Sequence, residues 1–226
     1  MATIRFDVNT MKKGMKKIRD DVKAGKGQPA SLSMKDMNGK MRTLKKKQYC
    51  GLFDNQAKYF LNNSKYPNYT TYLYDTDTPF VGKRQPNSWT CGSTSLSNAS
   101  TQVLNYKTEL QCRKACGTNT DGTSPNQLVN GAKKIGLKVE KINRTFNAVQ
   151  SSIKKGYGVI AHIQTGNVPC LGYAHDYGHW ITIYNTTGDY KFKVYDPSRD
   201  YKVCNANQII KATGGRNIHF YRVSSL

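Results

Sequence analysis

The chain has 226 residues, with 35 Lys and Arg against 14 Asp and Glu, and its formal net charge is +21. That length accommodates one domain with a small appendage or two small domains, and an aromatic content of 11% is that of a folded protein. No apolar run of about 18 residues is present, so the sequence excludes a membrane-spanning helix, and we expect no secretory signal. The charge favours anionic partners, but without an arginine-rich stripe we expect no dedicated nucleic-acid binding.

Residues 1–78 are predicted to form a small, mostly helical region. A helix is predicted over 8–24 because apolar residues recur there at helical spacing, namely at Val8, Met11, Met15, Ile18 and Val22. Asp7 or Asn9 is expected to cap this helix, and Gly25 to end it.

A second helix is predicted over about 45–62, again with an inward apolar face. Each of the two helices is followed by a proline, Pro29 or Pro67, and by a short run that favours a strand. This pattern indicates a weak internal repeat. Residues 75–88 contain two prolines and many turn formers, which predicts a linker and the entry loop of a second domain.

The second domain is predicted to span residues 79–226. Its helices are predicted from Cys91 to about Tyr106, over 108–116, from a Ser124 cap to Ile135, and after a Thr145 cap. Its strands are predicted at LKVEKI, GVIAHIQT, HWITIYN and YKFKVYDP, the last two joined by the turn TTGD. Helices first and an antiparallel sheet afterwards predict an α+β fold class.

The segment QPNSWTCGSTSLSNAS, residues 85–100, places Cys91 at the start of a predicted helix. The unpaired N–H groups and the positive end of the helix dipole favour a thiolate there, and the thiolate is the nucleophilic form of cysteine. Simple packing of a small residue at a helix start is the alternative interpretation of this motif alone.

Three further residues strengthen the nucleophile interpretation. His179 begins a predicted buried strand, and Asp196 ends the strand that pairs with it, so a hairpin brings the carboxylate beside the imidazole. We expect Asp196 to accept the Nδ1 proton of His179 and to leave Nε2 for the thiol of Cys91. Gln85, six residues before the cysteine, is predicted to donate its side-chain amide to an oxyanion hole. Together these residues predict papain-like cysteine catalysis.

The same segments carry a family resemblance. Through QPNSWTCGSTSLS, GTNTDGTSP, NRTFNAV, VIAHIQT, CLGYAHDYGHW and ATGGRNIHFY, residues 85–226 resemble the pseudomurein endoisopeptidases of methanogen viruses and proviruses. These papain-like enzymes are related to the peptidases that trim double-glycine leader peptides. The segment NNSKYPNYTTY is similar to the family's pseudomurein-binding repeat, which implies a wall-binding role for residues 1–78.

The resemblance implies an activity and a role for each residue. It implies an endolysin that hydrolyses the isopeptide bond between alanine and the ε-amino group of lysine in the methanogen cell wall. Cys91 is then the nucleophile, His179 the general base and acid, Asp196 the group that orients it, and Gln85 the oxyanion donor. Such a protein is made in the host cytoplasm and acts on the wall, with the wall peptide as its partner and no membrane partner, and we expect a monomer.

Residues beside these motifs are candidates for contact with the substrate. Trp89 and Tyr177 flank the cysteine and histidine segments and are expected to stack on it, with packing as the equal alternative. Gly92 is expected to let it approach closely, and Gly178 precedes the histidine.

No cofactor is required by this chemistry. The loop TNTDGTS, with Asn119, Asp121 and Thr123, has some character of a calcium loop, but it lacks the distal glutamate of an EF-hand. The metal content is therefore left open, and we expect calcium, if bound, to activate rather than to catalyse. The six cysteines are interpreted as reduced thiols, with a disulfide between Cys170 and Cys204 as the alternative that remains open.

Two other functions compete with the wall-lytic one. The chain can be a papain-like cysteine peptidase with another peptide substrate, or a basic binding protein for the wall or for nucleic acid without catalysis.

Overall fold

The computed structural model describes residues 4–71, 80–214 and 218–226, and it divides into two compact units, Met1–Val81 and Gly82–Leu226. The predicted boundary between 78 and 79, and residues 75–79 of the predicted linker, lie outside the described residues.

The described residues of the first unit form two helices, as predicted, and two small antiparallel sheets. Helix α1 spans Val8–Lys23 and α2 spans Lys46–Asn63. The carboxylate of Asp7 caps α1 by accepting the backbone N–H of Asn9 at 2.8 Å, so Asp7 and not Asn9 is the cap.

Each of the two sheets of the first unit is a pair of antiparallel strands. Strand β1, Arg5–Asp7, pairs with β4, Tyr69–Thr71, and β2, Ser31–Lys35, pairs with β3, Met41–Lys45. The sequence predicted β2 and β4 but missed β1 and β3. These two strands are too short or too polar to produce a local pattern, and they form because their backbone groups pair with the predicted strands.

The second unit places its helices around one sheet. The four predicted helices are observed as α3, Cys91–Gln102; α4, Glu109–Cys116; α5, Pro125–Lys134; and α6, Phe146–Lys154. Helix α3 ends earlier than predicted because the backbone of Leu104 adopts φ of 53°, which a helix cannot continue. Ser124 and Thr145 cap α5 and α6 as predicted. The sequence missed a further helix, α7, Ala206–Ala212.

A six-stranded antiparallel sheet forms the centre of this unit, in the order β5-β10-β6-β7-β8-β9. Its predicted strands are β5, Leu137–Ile142; β6, Gly158–Gln164; β7, Gly178–Thr186; and β8, Lys191–Asp196. Strands β9, Asp200–Asn205, and β10, Phe220–Ser225, were not predicted, and β10 lies between β5 and β6.

Both faces of the sheet are buried by helices. Residues of α3 and α5 pack with Trp180 and Tyr221 in one apolar cluster, and residues of α6 and α7 pack with Ile181 and Phe192 in another. The predicted α+β class is confirmed. Among the described residues, no helix combines the length and apolar character needed to cross a bilayer.

Candidate active site

Cys91 is the first residue of α3, as the sequence predicted, and its side chain is 8% exposed. The residue before it, Thr90, does not cap the helix, because its hydroxyl donates instead to the Asn87 carbonyl at 2.9 Å. No side chain therefore caps the first-turn N–H groups of α3. The thiol lies at the end of a helix where negative charge is favoured.

Close packing around position 92 accounts for the glycine there. A Cβ atom at this position would lie 2.6 Å from Thr123 Cβ and 3.1 Å from Trp180 Cδ1. The Trp180 indole N–H also donates to the Thr123 carbonyl at 2.8 Å, so this contact region has little freedom to move. Gly92 allows the start of α3 to approach β7 closely, while its predicted contact with substrate stays a prediction.

His179 and Asp196 meet in the sheet, as the hairpin argument predicted. Strand β7 pairs antiparallel with β8, with Thr182 opposite Tyr195, which brings the end of β8 alongside the start of β7. His179 Nε2 lies 3.0 Å from Asp196 Oδ1, and these side chains are buried, with residue exposures of 3% and 0%. The Cys91 side chain lies close enough to the same imidazole to raise its pKa. The three predicted side chains are thus brought together at the edge where α3 meets the sheet.

The orientation of the imidazole differs from the prediction. We expected Nδ1 to face Asp196 and Nε2 to face the thiol, but Nε2 is the nitrogen that bonds to Asp196. Nδ1 is therefore the nitrogen left for Cys91. Which nitrogen faces the carboxylate depends on where the helix approaches the strand, and the sequence contains no information on that approach.

Electrostatics favour an ion pair at this centre. Burial by itself lowers the pKa of His179, but hydrogen bonds with Asp196 and Cys91 outweigh it and raise the pKa to about 9. Burial raises the pKa of Asp196, yet the bond and charge of His179 and the Ser198 N–H lower it overall. An ionised carboxylate only accepts hydrogen bonds, so His179 Nε2 carries the hydrogen.

Tyr173 is a member of this cluster that the sequence analysis missed. Its hydroxyl lies 2.8 Å from Asp196 Oδ2, 3.0 Å from Oδ1 and 3.1 Å from His179 Nε2. Burial and the charge of Asp196 raise the pKa of Tyr173 above its usual range, so the phenol keeps its proton. Tyr173 lies in an irregular segment and is one of fifteen tyrosines, so no local signal singled it out.

Gln85 lies in the loop before α3. Its backbone N–H donates to the Pro197 carbonyl at 3.0 Å, which ties this loop to the turn that follows Asp196. Its side-chain Nε2 donates to the Asn87 carbonyl at 2.9 Å, and its Oε1 is buried without a partner. The amide that was predicted to serve an oxyanion hole is thus engaged within its own loop.

The predicted substrate contacts lie in different surroundings. The Trp89 ring is half-buried, and the guanidinium carbon of Arg113 lies over it, 5.7 Å from the centroid of the Trp89 ring. Tyr177 is 44% exposed, and its ring centroid lies 6.2 Å from that of His179. Gly178 is exposed at the first position of β7. Tyr177 is therefore the best placed of the three beside the imidazole, and their contact with substrate remains a prediction.

The structure corrects the interpretation of two cysteines as thiols. Cys170 and Cys204 form a disulfide that joins the segment before Tyr173 to β9, which is the alternative the sequence left open. Cys50, Cys91, Cys112 and Cys116 are not disulfide-bonded.

The loop with calcium character uses its polar side chains within the loop, and activation by calcium stays a prediction. Asn119 Oδ1 accepts the Asp121 N–H at 3.0 Å, and the Thr123 hydroxyl pairs with that of Thr118 at 2.8 Å. Asp121 is the one carboxylate in this segment, whereas calcium takes six to eight oxygen ligands. In the part of the chain that the structure describes, no group of three or more His, Cys, Asp or Glu side chains is arranged to hold a metal.

Comparison with known proteins identifies a family. Residues 80–212 match the peptidase C39 family. Solved structures similar to the chain include the peptidase domain of Streptococcus ComA, a bifunctional ABC transporter involved in quorum sensing, at 15% identity and a TM-score of 0.49. That match covers 63% of this chain and 97% of the other.

A second similar structure is a double glycine motif protease from an AMS/PCAT transporter, in complex with the leader peptide. It is 16% identical with a TM-score of 0.46, and the match covers 65% of this chain and 89% of that one. The peptidase domain of Streptococcus mutans ComA is 15% identical with a TM-score of 0.44, over 62% and 96% of the two chains. No curated protein matches the chain.

Proposed function

Since this chain belongs to the peptidase C39 family and is a papain-like cysteine peptidase, we propose that Cys91, His179 and Asp196 are its catalytic residues. The observation that carries the assignment is the buried imidazole of His179, which bonds to Asp196 at 3.0 Å and has its pKa raised by the Cys91 side chain at the start of α3. A nucleophile, its base and an orienting carboxylate in this order are the parts that covalent acyl transfer requires.

The proposed first step is attack on the carbonyl carbon of the substrate. His179 Nδ1 takes the proton of the Cys91 thiol, and the thiolate forms a bond to the carbonyl carbon while the C=O electron pair moves to oxygen. Asp196 accepts a hydrogen bond from the Nε2–H of His179, and its negative charge stabilises the imidazolium that results. The raised pKa of His179, about 9, supports this protonated state at neutral pH.

The negative oxygen of the tetrahedral intermediate is proposed to lie at the start of α3. The backbone N–H of Cys91 is one donor, since no side chain caps this turn. We propose Gln85 Nε2 as the other, which requires its amide to leave the Asn87 carbonyl when substrate binds. The bond from Gln85 N–H to Pro197 keeps the residue close to the catalytic turn during that rotation.

Collapse of the intermediate expels the amine. The C–N bond breaks, the imidazolium gives its proton to the leaving nitrogen, and an acyl group remains on Cys91. A water molecule, deprotonated by His179, then attacks the thioester, and a second collapse releases the carboxylic acid and the free thiol. An isopeptide carbonyl reacts in the same way as a peptide carbonyl, so the route applies to both.

We propose that the bond cleaved is the isopeptide bond between alanine and the ε-amino group of lysine in pseudomurein. The sequence resemblance over residues 85–226 supports this substrate, and the charge of +21 is suited to an anionic wall. In the first unit, a surface cavity of about 350 Å³ is lined by four cations and an aromatic ring, which supports wall binding there. Its lining includes Lys12, Lys13, Lys16, Arg19 and Tyr66.

The decisive experiment compares isolated pseudomurein walls incubated with wild-type protein, with Cys91→Ala and with the matched control Cys116→Ala. Cys116 is also a buried cysteine, but burial raises its pKa to about 11, so it stays protonated. We expect new amino termini and alanine-terminated peptides from wild type and Cys116→Ala only, with Cys91→Ala still bound to the wall. Equal release by Cys91→Ala would contradict the assignment of the nucleophile.

Linear peptides, used as a second set of substrates, distinguish the competing functions. If wild type leaves the walls intact but cuts linear peptides in a Cys91-dependent manner, the chain is a peptidase with another substrate. If it binds walls equally with and without Cys91 and cuts neither substrate, it is a binding protein.

A further inference from the structure

The two oxygens of the Asp196 carboxylate accept hydrogen bonds from different numbers of donors. Oδ1 accepts the His179 Nε2–H at 3.0 Å and the Ser198 backbone N–H at 2.8 Å. Oδ2 accepts a hydrogen bond from the Tyr173 hydroxyl at 2.8 Å, and among the described residues Tyr173 is the one donor to Oδ2. Because Asp196 is fully buried, an Oδ2 without that donor would be a charged oxygen with neither water nor protein to solvate it.

The Tyr173 ring is held in place from several sides. The Arg199 guanidinium lies 4.7 Å from its centroid, and the Tyr177 ring packs edge-on at 5.3 Å. The two ends of the segment that carries Tyr173 are joined by a hydrogen bond, in which the Thr165 N–H donates to the Tyr177 carbonyl at 3.1 Å. The disulfide between Cys170 and Cys204 anchors the same segment to β9. The hydroxyl is thus presented to the carboxylate by a fixed framework.

The direction of these hydrogen bonds defines what Tyr173 can do. A phenol has one hydrogen, which it gives to the ionised Asp196, and its oxygen is then free to accept the Nε2–H of His179. Both interactions favour the tautomer with hydrogen on Nε2. In that tautomer Nδ1 is the basic nitrogen, which is the one left for Cys91.

We propose that Tyr173 is a positioning residue of this peptidase, whose hydroxyl holds the Asp196 carboxylate and the Nε2–H tautomer of His179 in the arrangement that Cys91 requires. The proposal rests on the catalytic assignment above. Tyr173 acts through Asp196 and His179 and takes no proton in the reaction.

The test compares Tyr173→Phe with Tyr195→Phe. Tyr195 is the matched control, because its hydroxyl also donates to a carboxylate, Asp200 Oδ1 at 3.0 Å, but that pair lies outside the proposed catalytic residues. We expect Tyr173→Phe to lower kcat by about 10- to 100-fold, the range for loss of a hydrogen bond to a charged group, with little change in KM. Tyr195→Phe should retain the wild-type kcat.

A second readout does not depend on any substrate. In the Cys91→Ala background, the Asp196 carboxyl group is titrated by carbon NMR with and without Tyr173→Phe. The ionisable or charged groups that surround it remain the same in both samples, namely His179, Tyr177 and Arg199. Because the hydroxyl stabilises the ionised form, its loss should move the Asp196 midpoint upward by about one pH unit.

The two readouts distinguish the failure of each proposal. An upward shift of the Asp196 midpoint, together with a wild-type protein that hydrolyses nothing, supports the positioning role and refutes the proposed function. An unmoved midpoint, or a kcat of Tyr173→Phe equal to that of Tyr195→Phe, overturns the positioning role.

If Tyr173→Phe fails to fold, Tyr173 is replaced by 3,5-difluorotyrosine, which preserves the ring and hydroxyl. Fluorination makes the phenol more acidic, so its hydroxyl becomes a stronger hydrogen-bond donor to the Asp196 carboxylate. We expect the Asp196 midpoint to move downward in this variant, and an unmoved midpoint refutes the proposal.

Discussion

The charge of Asp196 is expected to sustain the protonated state of His179, and Asp196→Asn tests this directly. Asparagine retains the size of aspartate and one oxygen acceptor, but it removes the negative charge. Burial then lowers the pKa of His179 with only Cys91 left to oppose it. We expect the midpoint of His179 to fall from about 9 toward its ordinary value of 6.5 or below.

The magnitude follows from the two pKa values. The difference between 6.5 and about 9 corresponds to about 3 kcal/mol of folding stability, shared between Asp196 and Cys91. Because the pKa of His179 is raised in the folded state, this contribution is complete below pH 6.5 and is lost as the pH rises through about 9. The stability gap between wild type and Asp196→Asn should therefore be large at about pH 6 and shrink by about pH 10.

Two measurements check the expectation. Proton–carbon NMR follows the His179 ring through the titration, and urea unfolding gives the free energy of unfolding at each pH. Asp200→Asn is the matched control, since Asp200 pairs with the exposed Arg84 and is not among the groups that shift the pKa of His179. A His179 midpoint that stays at the wild-type value in Asp196→Asn would refute the electrostatic reasoning.

Three further perturbations have defined outcomes. Gly92→Ala should lower the free energy of unfolding by about 1–3 kcal/mol, because the added methyl meets Thr123, and a variant as stable as wild type in urea would contradict that packing. Burial raises the pKa of Asp54 to about 7, so its contribution to stability is complete below the ordinary value of 3.8 and is lost as the pH rises through about 7. Asp54→Asn should remove that pH dependence from urea unfolding of the full chain, and an unchanged pH profile would argue against a neutral buried carboxyl. Reduction of the disulfide between Cys170 and Cys204 should cost about 2–4 kcal/mol, measured as a lower urea midpoint with and without reductant, whereas equal midpoints would show that the crosslink adds no stability.

Metal removal is a separate test of the expected chemistry. The proposed catalytic steps use only protein groups, so EDTA should leave turnover of wild type unchanged. Added calcium then tests the expected activation, and complete loss of turnover in EDTA would contradict the metal-free chemistry.

The sequence by itself determined the helices and strands that have a local pattern, and it singled out the three side chains that we propose to be catalytic. Helices such as α1, α5 and α6 depend on residues three and four apart and on caps such as Asp7, Ser124 and Thr145, all of which lie within a few positions. Alternation and one hairpin turn were enough to bring His179 and Asp196 to neighbouring strands.

Only the tertiary structure decided the features that depend on distant contacts. Strand β10 is inserted between β5 and β6, with Phe220 opposite both Ile142 and Ala161, and its short mixed sequence has no local pattern that shows this. Which ring nitrogen of His179 faces the carboxylate, and the arrival of Tyr173 at Asp196, depend on how separate segments pack around the sheet. Sequence periodicity reports the neighbours of a residue along the chain, whereas these contacts are set by the free energy of packing elements far apart in it.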